Sequence, residues 1–243
     1  MKVLVTGASR GIGRAVALRL HAKRAKLALS AREGAHLDRV LRETPGSVGV
    51  AAELTRADEV EGLVPRAVDA LGGLSAFVHC AGVVRYTPAL EISRAELAEQ
   101  MQVNFNAGFV LSQAAGRVMR AAGSGGAIVC VASTLGTHPA RGTAAYAASK
   151  AALMAMTRAF ALELAPNKIR VNAVAPGVID TEMVRVVRDQ VDVAAQLKAL
   201  AALHPLGRLG TADEVAEAVV YLLEAQFVTG TVLVVDGGLT LGG

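Results

Sequence analysis

The chain has 243 residues, 53% of them apolar and only 3% aromatic, with 25 basic against 21 acidic side chains. The basic residues are scattered, without the stripe or aromatic interleaving that grips nucleic acid, so no nucleic-acid partner is expected. The five histidines show no metal-ligand spacing and no apolar run reaches the roughly 18 residues of a membrane span, so neither a metal site nor a membrane is expected.

In chain order, the apolar runs Val3–Thr6, Leu27–Ser30, Val48–Ala52, Ala76–His79, Ala127–Val131, Arg170–Ala175 and Thr231–Val235 predict strands. Their near-continuous apolar character is that of strands buried on both faces. Longer amphipathic stretches between them predict helices, two of them opened by capping boxes at Ser93…Glu96 and Thr211…Glu214. This alternation predicts an α/β fold, a doubly wound parallel sheet of the Rossmann type with about seven strands and helices on both faces. No composition shift marks a boundary, so residues 1–243 are expected to form a single domain. Cys80 and Cys130 lie in strand-like contexts without CxxC spacing. The first apolar run is broken by Gly7 too early for a signal segment, and a cytoplasmic protein with reduced thiols is expected.

Directly after the first strand, residues Thr6–Gly13 read Thr-Gly-Ala-Ser-Arg-Gly-Ile-Gly and lead into a helical pattern. Glycines at 7, 11 and 13 in a strand–turn–helix setting let the backbone close on a pyrophosphate at a helix N-terminus, although such a triplet also occurs in plain turns. The second strand ends Ser30-Ala31-Arg32, with no carboxylate where one would bond the ribose 2′-hydroxyl of NAD. Arg32, joined by Arg10, suits the 2′-phosphate of NADP, and NADP(H) is the expected cofactor. Glu33 argues the other way.

Tyr146 and Lys150 stand four residues apart, on one face of a helix and one turn apart, with Ser133 upstream. At about 4 Å and an effective dielectric near 20, their attraction of about 4 kcal/mol would draw a phenol towards the range of a general acid/base. An ordinary lysine beside a half-buried tyrosine has the same spacing. Further on, residues 177–209 lack a strand–helix pairing and carry a predicted helix at Val191–Leu203. Lying past the carboxyl end of the sixth strand, the segment is expected to form a lid at about 181–206, against the plainer reading of a long connection.

With these residues assembled, the chain resembles the short-chain dehydrogenase/reductase superfamily from Thr6 to Gly238, and most resembles its 3-oxoacyl-(acyl-carrier-protein) reductases. The family's TGxxxGxG pattern falls on Thr6–Gly13 and its YxxxK on Tyr146–Lys150, while Asn172–Gly177 with Thr181, Pro205–Gly210 and Val235–Gly238 match later motifs. The resemblance implies hydride transfer at a nicotinamide. Tyr146 would donate the proton, Lys150 would lower its pKa and bind the ribose, and Ser133 would hold the substrate oxygen. Asn104, with Asn106 as competitor, would hold a relay water.

The resemblance also implies cofactor contacts at Gly7, Ser9, Arg10, Gly11, Ile12, Gly13, Arg32, Glu53, Leu54, Cys80, Ala81, Gly82, Tyr146, Lys150, Pro176, Gly177, Ile179 and Thr181. Substrate contacts would fall on Ser133, Leu135, His138, Met183 and Val187. Two departures stand out: His79-Cys-Ala-Gly82 replaces Asn-Asn-Ala-Gly, and Glu53 replaces an aspartate. The implied reaction is reduction of a ketone, 3-oxoacyl-like or another hydrophobic carbonyl, on a small molecule or acyl thioester. Oxidation of a sugar, steroid or cyclic alcohol and a non-catalytic NADP-binding scaffold stay open. The enoyl reductases of this superfamily resemble Tyr-x6-Lys, which is absent. The basic carrier-docking positions that the resemblance implies fall here on Ser124, Gly125 and Asn167, with Lys168 alone keeping charge, while Arg117, Arg120, Arg185 and Arg188 could replace the patch. A homotetramer or homodimer is implied by resemblance.

Overall fold

The computed structural model describes residues 1–186 and 193–242. Seven strands form one parallel sheet: β1 (Lys2–Thr6), β2 (Lys26–Ser30), β3 (Val48–Gly49), β4 (Ala76–His79), β5 (Gly126–Val131), β6 (Ile169–Pro176) and β7 (Val232–Val235), in the order β3-β2-β1-β4-β5-β6-β7. The helices are α1 (Gly11–Ala22), α2 (Ala35–Glu43), α3 (Ala57–Leu71), α4 (Arg94–Met101), α5 (Ala107–Ala122), α6 (Ala144–Leu164), α7 (Glu182–Val186), α8 (Val193–Ala202) and α9 (Ala212–Glu224). Side chains alternate across each strand. Leu4, Ala28, Phe77 and Ile128 therefore pack with α3, α5 and α6, whereas Val3, Val5, Leu27, Leu29 and Val129 pack with α1, α2 and α9. Both faces of the sheet are covered, which is why the strands read as unbroken apolar runs.

After β3 the chain crosses back to place β4 beside β1. The connections leaving β1 and β4 diverge at this reversal, and they open the crevice in which such sheets bind ligands. Gly7 and the segment Cys80–Gly82 lie at its floor.

Three local expectations need correction. β3 ends at Gly49 rather than Ala52, where its paired register with β2 stops; Val50 N and Ala52 N still donate to Leu29 O and Ala31 O at 2.9 and 3.0 Å. Thr211 and Glu214 form a full capping box, but at Ser93 only half of one forms. There the Ser93 hydroxyl accepts from Glu96 N at 3.1 Å, while the Glu96 carboxylate accepts from Gln100 instead. In the expected lid, the predicted helix ends at Ala202 rather than Leu203, its expected start at Val191, like Arg188, lies outside the described residues, and a short helix α7 occupies Glu182–Val186.

Candidate active site

The crevice holds a cavity of about 510 Å³. Of the residues that the resemblance assigns to the cofactor, Gly7, Ser9, Arg10, Gly11, Ile12, Gly13, Arg32, Glu53, Leu54, Cys80, Ala81, Gly82 and Thr181 line it. Glycine is required here by sterics. A Cβ at Gly13 would stand 2.1 Å from the Gly7 carbonyl oxygen, and one at Gly7, whose φ is +64°, would stand 2.7 Å from the Ala81 backbone. Arg10 precedes α1 in extended conformation and no side chain caps the helix. The first-turn N–H groups of Gly11, Ile12 and Gly13 thus face the cavity, the arrangement that accepts an anion. Arg10 and Arg32 line the same wall, and so does Glu33, although it lies beyond the end of β2.

A second cavity of about 400 Å³ adjoins the first; Ile12, Cys80, Gly82, Thr181 and Met183 line both. Its wall includes Ser133, Tyr146, Lys150, Leu135, His138 and Val184, together with Pro176, Gly177 and Ile179, which the resemblance had assigned to the nucleotide. Leu200 and Leu203 reach it from α8 and just beyond. Val187 lies outside the described residues. His138 is a wall residue whose Nδ1 pairs with Thr137 Oγ1 at 3.0 Å.

Ser133 follows β5, and its hydroxyl accepts from Leu135 N at 3.2 Å and lies near enough to the Tyr146 phenol to oppose the rise in its pKa. Tyr146 and Lys150 lie one turn apart on α6, 8% and 3% exposed. Lys150 Nζ donates to the Val131 carbonyl at 2.9 Å and stands 5.6 Å from the centre of the Tyr146 ring. The expected lowering of the phenol pKa is overturned. Burial pushes Tyr146 up to about 12, opposed by the nearby Ser133 hydroxyl, and pushes Lys150 down to about 8. Desolvation of each charged form outweighs a pair attraction reckoned for a more polar setting, because the ammonium is turned to the Val131 carbonyl.

Asn104 is fully buried in a π-helical segment, Gln102–Asn106, that joins α4 to α5. Its Oδ1 accepts from Val83 N at 2.8 Å, and its amide group donates to Val83 O at 2.9 Å and Ser149 Oγ at 3.0 Å. Ser149 in turn donates to the Tyr146 carbonyl at 2.7 Å. Both amide hydrogens are thus spent on the protein, and the side chain ties the β4–α4 loop to α6 rather than standing open to a water. Asn106 is exposed and bonds Gln102 at 3.2 Å. Sequence reading missed Val83, Ser149, Tyr86, Leu239 and Thr240; each reaches the site through tertiary contacts that no local spacing announces.

Three comparisons bear on this geometry. A family model described as enoyl-(acyl carrier protein) reductase matches residues 7–240. The D-erythrulose reductase of Gallus gallus is 37% identical over 240 residues, covering 98% of this chain and 94% of that protein. The 3-oxoacyl-(acyl-carrier-protein) reductase FabG of Vibrio cholerae is 36% identical over 240 residues, covering 97% and 96%. The crystal structure of gox2181 superposes with a TM-score of 0.91 at 30% identity, covering 98% and 95%.

Proposed function

This chain belongs to the short-chain dehydrogenase/reductase family, and we propose that within it the protein is an NADP(H)-dependent reductase that turns a ketone into a secondary alcohol, with Tyr146 as proton donor. One observation carries the reading: Ser133, Tyr146 and Lys150 stand where the glycine-lined cavity meets an apolar one. The first cavity fits a dinucleotide, since its glycines leave room that any Cβ would fill and its helix N-terminus is uncapped. Arg10 and Arg32 support the 2′-phosphorylated form. When bound, that cofactor supplies the hydride.

The chain's own residues supply the proton and the geometry. A phenol pushed up to about 12 keeps its proton at neutral pH, which suits a donor to a carbonyl oxygen on which negative charge is growing. Ser133 brings a second hydroxyl to the same point and supports that charge. Lys150, at about 8, is mostly charged at pH 7, and it lines the second cavity beside Tyr146, where an ammonium can hold the cofactor's ribose. Asn104 is a positioning residue through Val83 and Ser149.

The Tyr-x6-Lys pattern that the superfamily's enoyl reductases resemble is absent, since Tyr146 and Lys150 stand four residues apart, and this supports a ketone over an enoyl double bond. The names of both relatives point to ketones as well. Apolar walls at Leu135, Val184, Leu200 and Leu203 support a 3-oxoacyl-like or other hydrophobic carbonyl, as a small molecule or acyl thioester. Residues at about 181–206 act as a lid on the single domain, and Met183 and Leu200 at the cavity support that role. A cytoplasmic homotetramer or homodimer completes the reading. Exposed Leu97 on α4, Phe109 on α5, Leu162 on α6 and Val234 on β7 offer apolar surface for pairing, and light scattering tests it.

The direct test combines cofactor titration with Tyr146→Phe. NADPH should bind more tightly than NADH, and the variant should lose turnover by about 100-fold or more with NADPH affinity unchanged. Tighter NADH binding would overturn the cofactor assignment, and full activity in the variant would remove Tyr146 from the chemistry.

A further inference from the structure

The loop from β4 to α4 is fastened at every second residue. Val83 exchanges two hydrogen bonds with Asn104, at 2.8 and 2.9 Å. Arg85 N donates to Gln100 Oε1 at 3.3 Å, and Thr87 N donates to the Gly142 carbonyl at 2.9 Å. Gly142 takes a φ of +76° in the turn that presents this carbonyl, a conformation that favours glycine. Residues 83, 85 and 87 therefore spend their backbone on α4, the π-helical segment and the turn before α6. Val84 and Tyr86, between them, both line the second cavity with Ser133 and Tyr146. Tyr86 is 43% exposed, yet its backbone is held on both sides, so it is a fixed part of the cavity mouth.

Its phenol is near enough to that of Tyr146 to push the latter's ionisation upward. The neighbouring wall is mostly apolar, and other hydroxyls in it already donate inside the protein. Thr134 bonds Pro176 O at 3.2 Å, Thr181 bonds Ile179 O at 3.4 Å, and Thr240 bonds the Asp236 carboxylate at 2.7 Å. A phenol both donates and accepts, as those threonines do, but Tyr86 stands at the cavity mouth with 43% of its surface exposed, where an entering substrate meets it.

Resting on the ketone-reductase reading, we infer that Tyr86 is a specificity-determining residue that hydrogen-bonds a second substrate oxygen close to the reacting carbonyl. The favoured substrates are then oxygenated ketones, whether β-keto acyl compounds or α-hydroxyketones, over plain ketones of the same size. A site built to bond a substrate oxygen discriminates against the analogue lacking it, because its own polar group is left unpaired.

The test measures kcat/KM with NADPH on two matched pairs, ethyl acetoacetate against 2-hexanone and 3-hydroxy-2-butanone against 2-butanone. Wild type, Tyr86→Phe and Tyr146→Phe are compared. The oxygenated-to-plain ratio should fall by about tenfold in Tyr86→Phe for at least one pair, and the pair that responds tells a β-keto acyl substrate from a hydroxyketone. Unchanged ratios in both pairs would overturn the inference, even if overall rates drop. Tyr146→Phe should lose activity on every ketone; retention there, or a wild type inert on all four, would instead overturn the underlying ketone-reductase reading.

Discussion

Replacing Lys150 by methionine isolates what it takes to keep a charge in this core. The side chain is 3% exposed, and burial lowers its pKa from 10.5 to about 8. That fall corresponds to about 3 kcal/mol. The sign follows from proton counting. Below about pH 8 both folded and unfolded chains hold the proton, and the whole penalty stands. Between about 8 and 10.5 the unfolded chain binds more protons, so stability rises with pH by about 3 kcal/mol from this residue. Cys80, Cys130 and Tyr146, pushed up by burial to about 12, 11 and 12, contribute in the opposite sense at alkaline pH. They are common to both proteins, and although the Lys150 charge lowers the two thiols somewhat, their folded forms stay protonated over most of this range, so they largely cancel in the difference. Methionine also leaves the Val131 carbonyl without its 2.9 Å donor, a loss of about 1–3 kcal/mol that does not vary with pH. At pH 7.5 the two effects nearly offset. Urea unfolding followed by far-ultraviolet circular dichroism at pH 7.5, 9 and 10.5 should therefore show wild type gaining about 3 kcal/mol on the variant across the series. A constant gap would refute the claim that Lys150 is held as a buried cation.

The same residue predicts a pH–rate profile: ketone reduction should decline above about pH 8 as Lys150 loses its proton, whereas alcohol oxidation should climb into the alkaline range because Tyr146 lies near 12. A reduction rate flat from pH 6 to 10 would count against this role for the ammonium. Gly13→Ala forces a Cβ to 2.1 Å from Gly7 O and should lower NADPH affinity more than tenfold by fluorescence titration; unaltered binding would show that the turn can shift freely. Arg32→Glu should weaken NADPH by about tenfold or more and NADH much less, and equal losses would place the 2′-phosphate elsewhere.

Strand positions were legible because both sheet faces are covered, which leaves each strand as an apolar run. The pairing of Tyr146 with Lys150 was legible for a similar reason: helical spacing alone puts them on one turn. Their ionisation was not. The pair arithmetic assumed facing charges, but the ammonium points to the Val131 carbonyl and both groups lie in the interior, where desolvation rules. The part played by Asn104 and the placement of Tyr86 were likewise hidden. Both depend on backbone bonds between segments far apart in sequence, at Val83, Gln100 and Gly142. Ser93 shows the same lesson at small scale, since its matching glutamate three residues on is drawn to Gln100.

His79 shows how the fold absorbs its clearest departure from the family pattern. The Thr6 hydroxyl accepts from Ala81 N at 3.5 Å, so its own hydrogen is available to His79 Nδ1, 3.0 Å away. Nδ1 then accepts and the ring proton sits on Nε2. Nε2 faces the Val103 carbonyl of the π-helical segment without reaching hydrogen-bond geometry. Burial lowers the ring's pKa to about 3, which keeps it neutral and spares Lys150 a second cation beside it. The neighbouring helix makes room with glycine, since a Cβ at Gly108 would lie 2.9 Å from the imidazole. One neutral ring thus spans from the strand that precedes the glycine turn to the segment that carries Asn104. The Thr6 bond ties the ring to the strand before the glycine turn, while towards Asn104 the ring only packs against the π-helical segment.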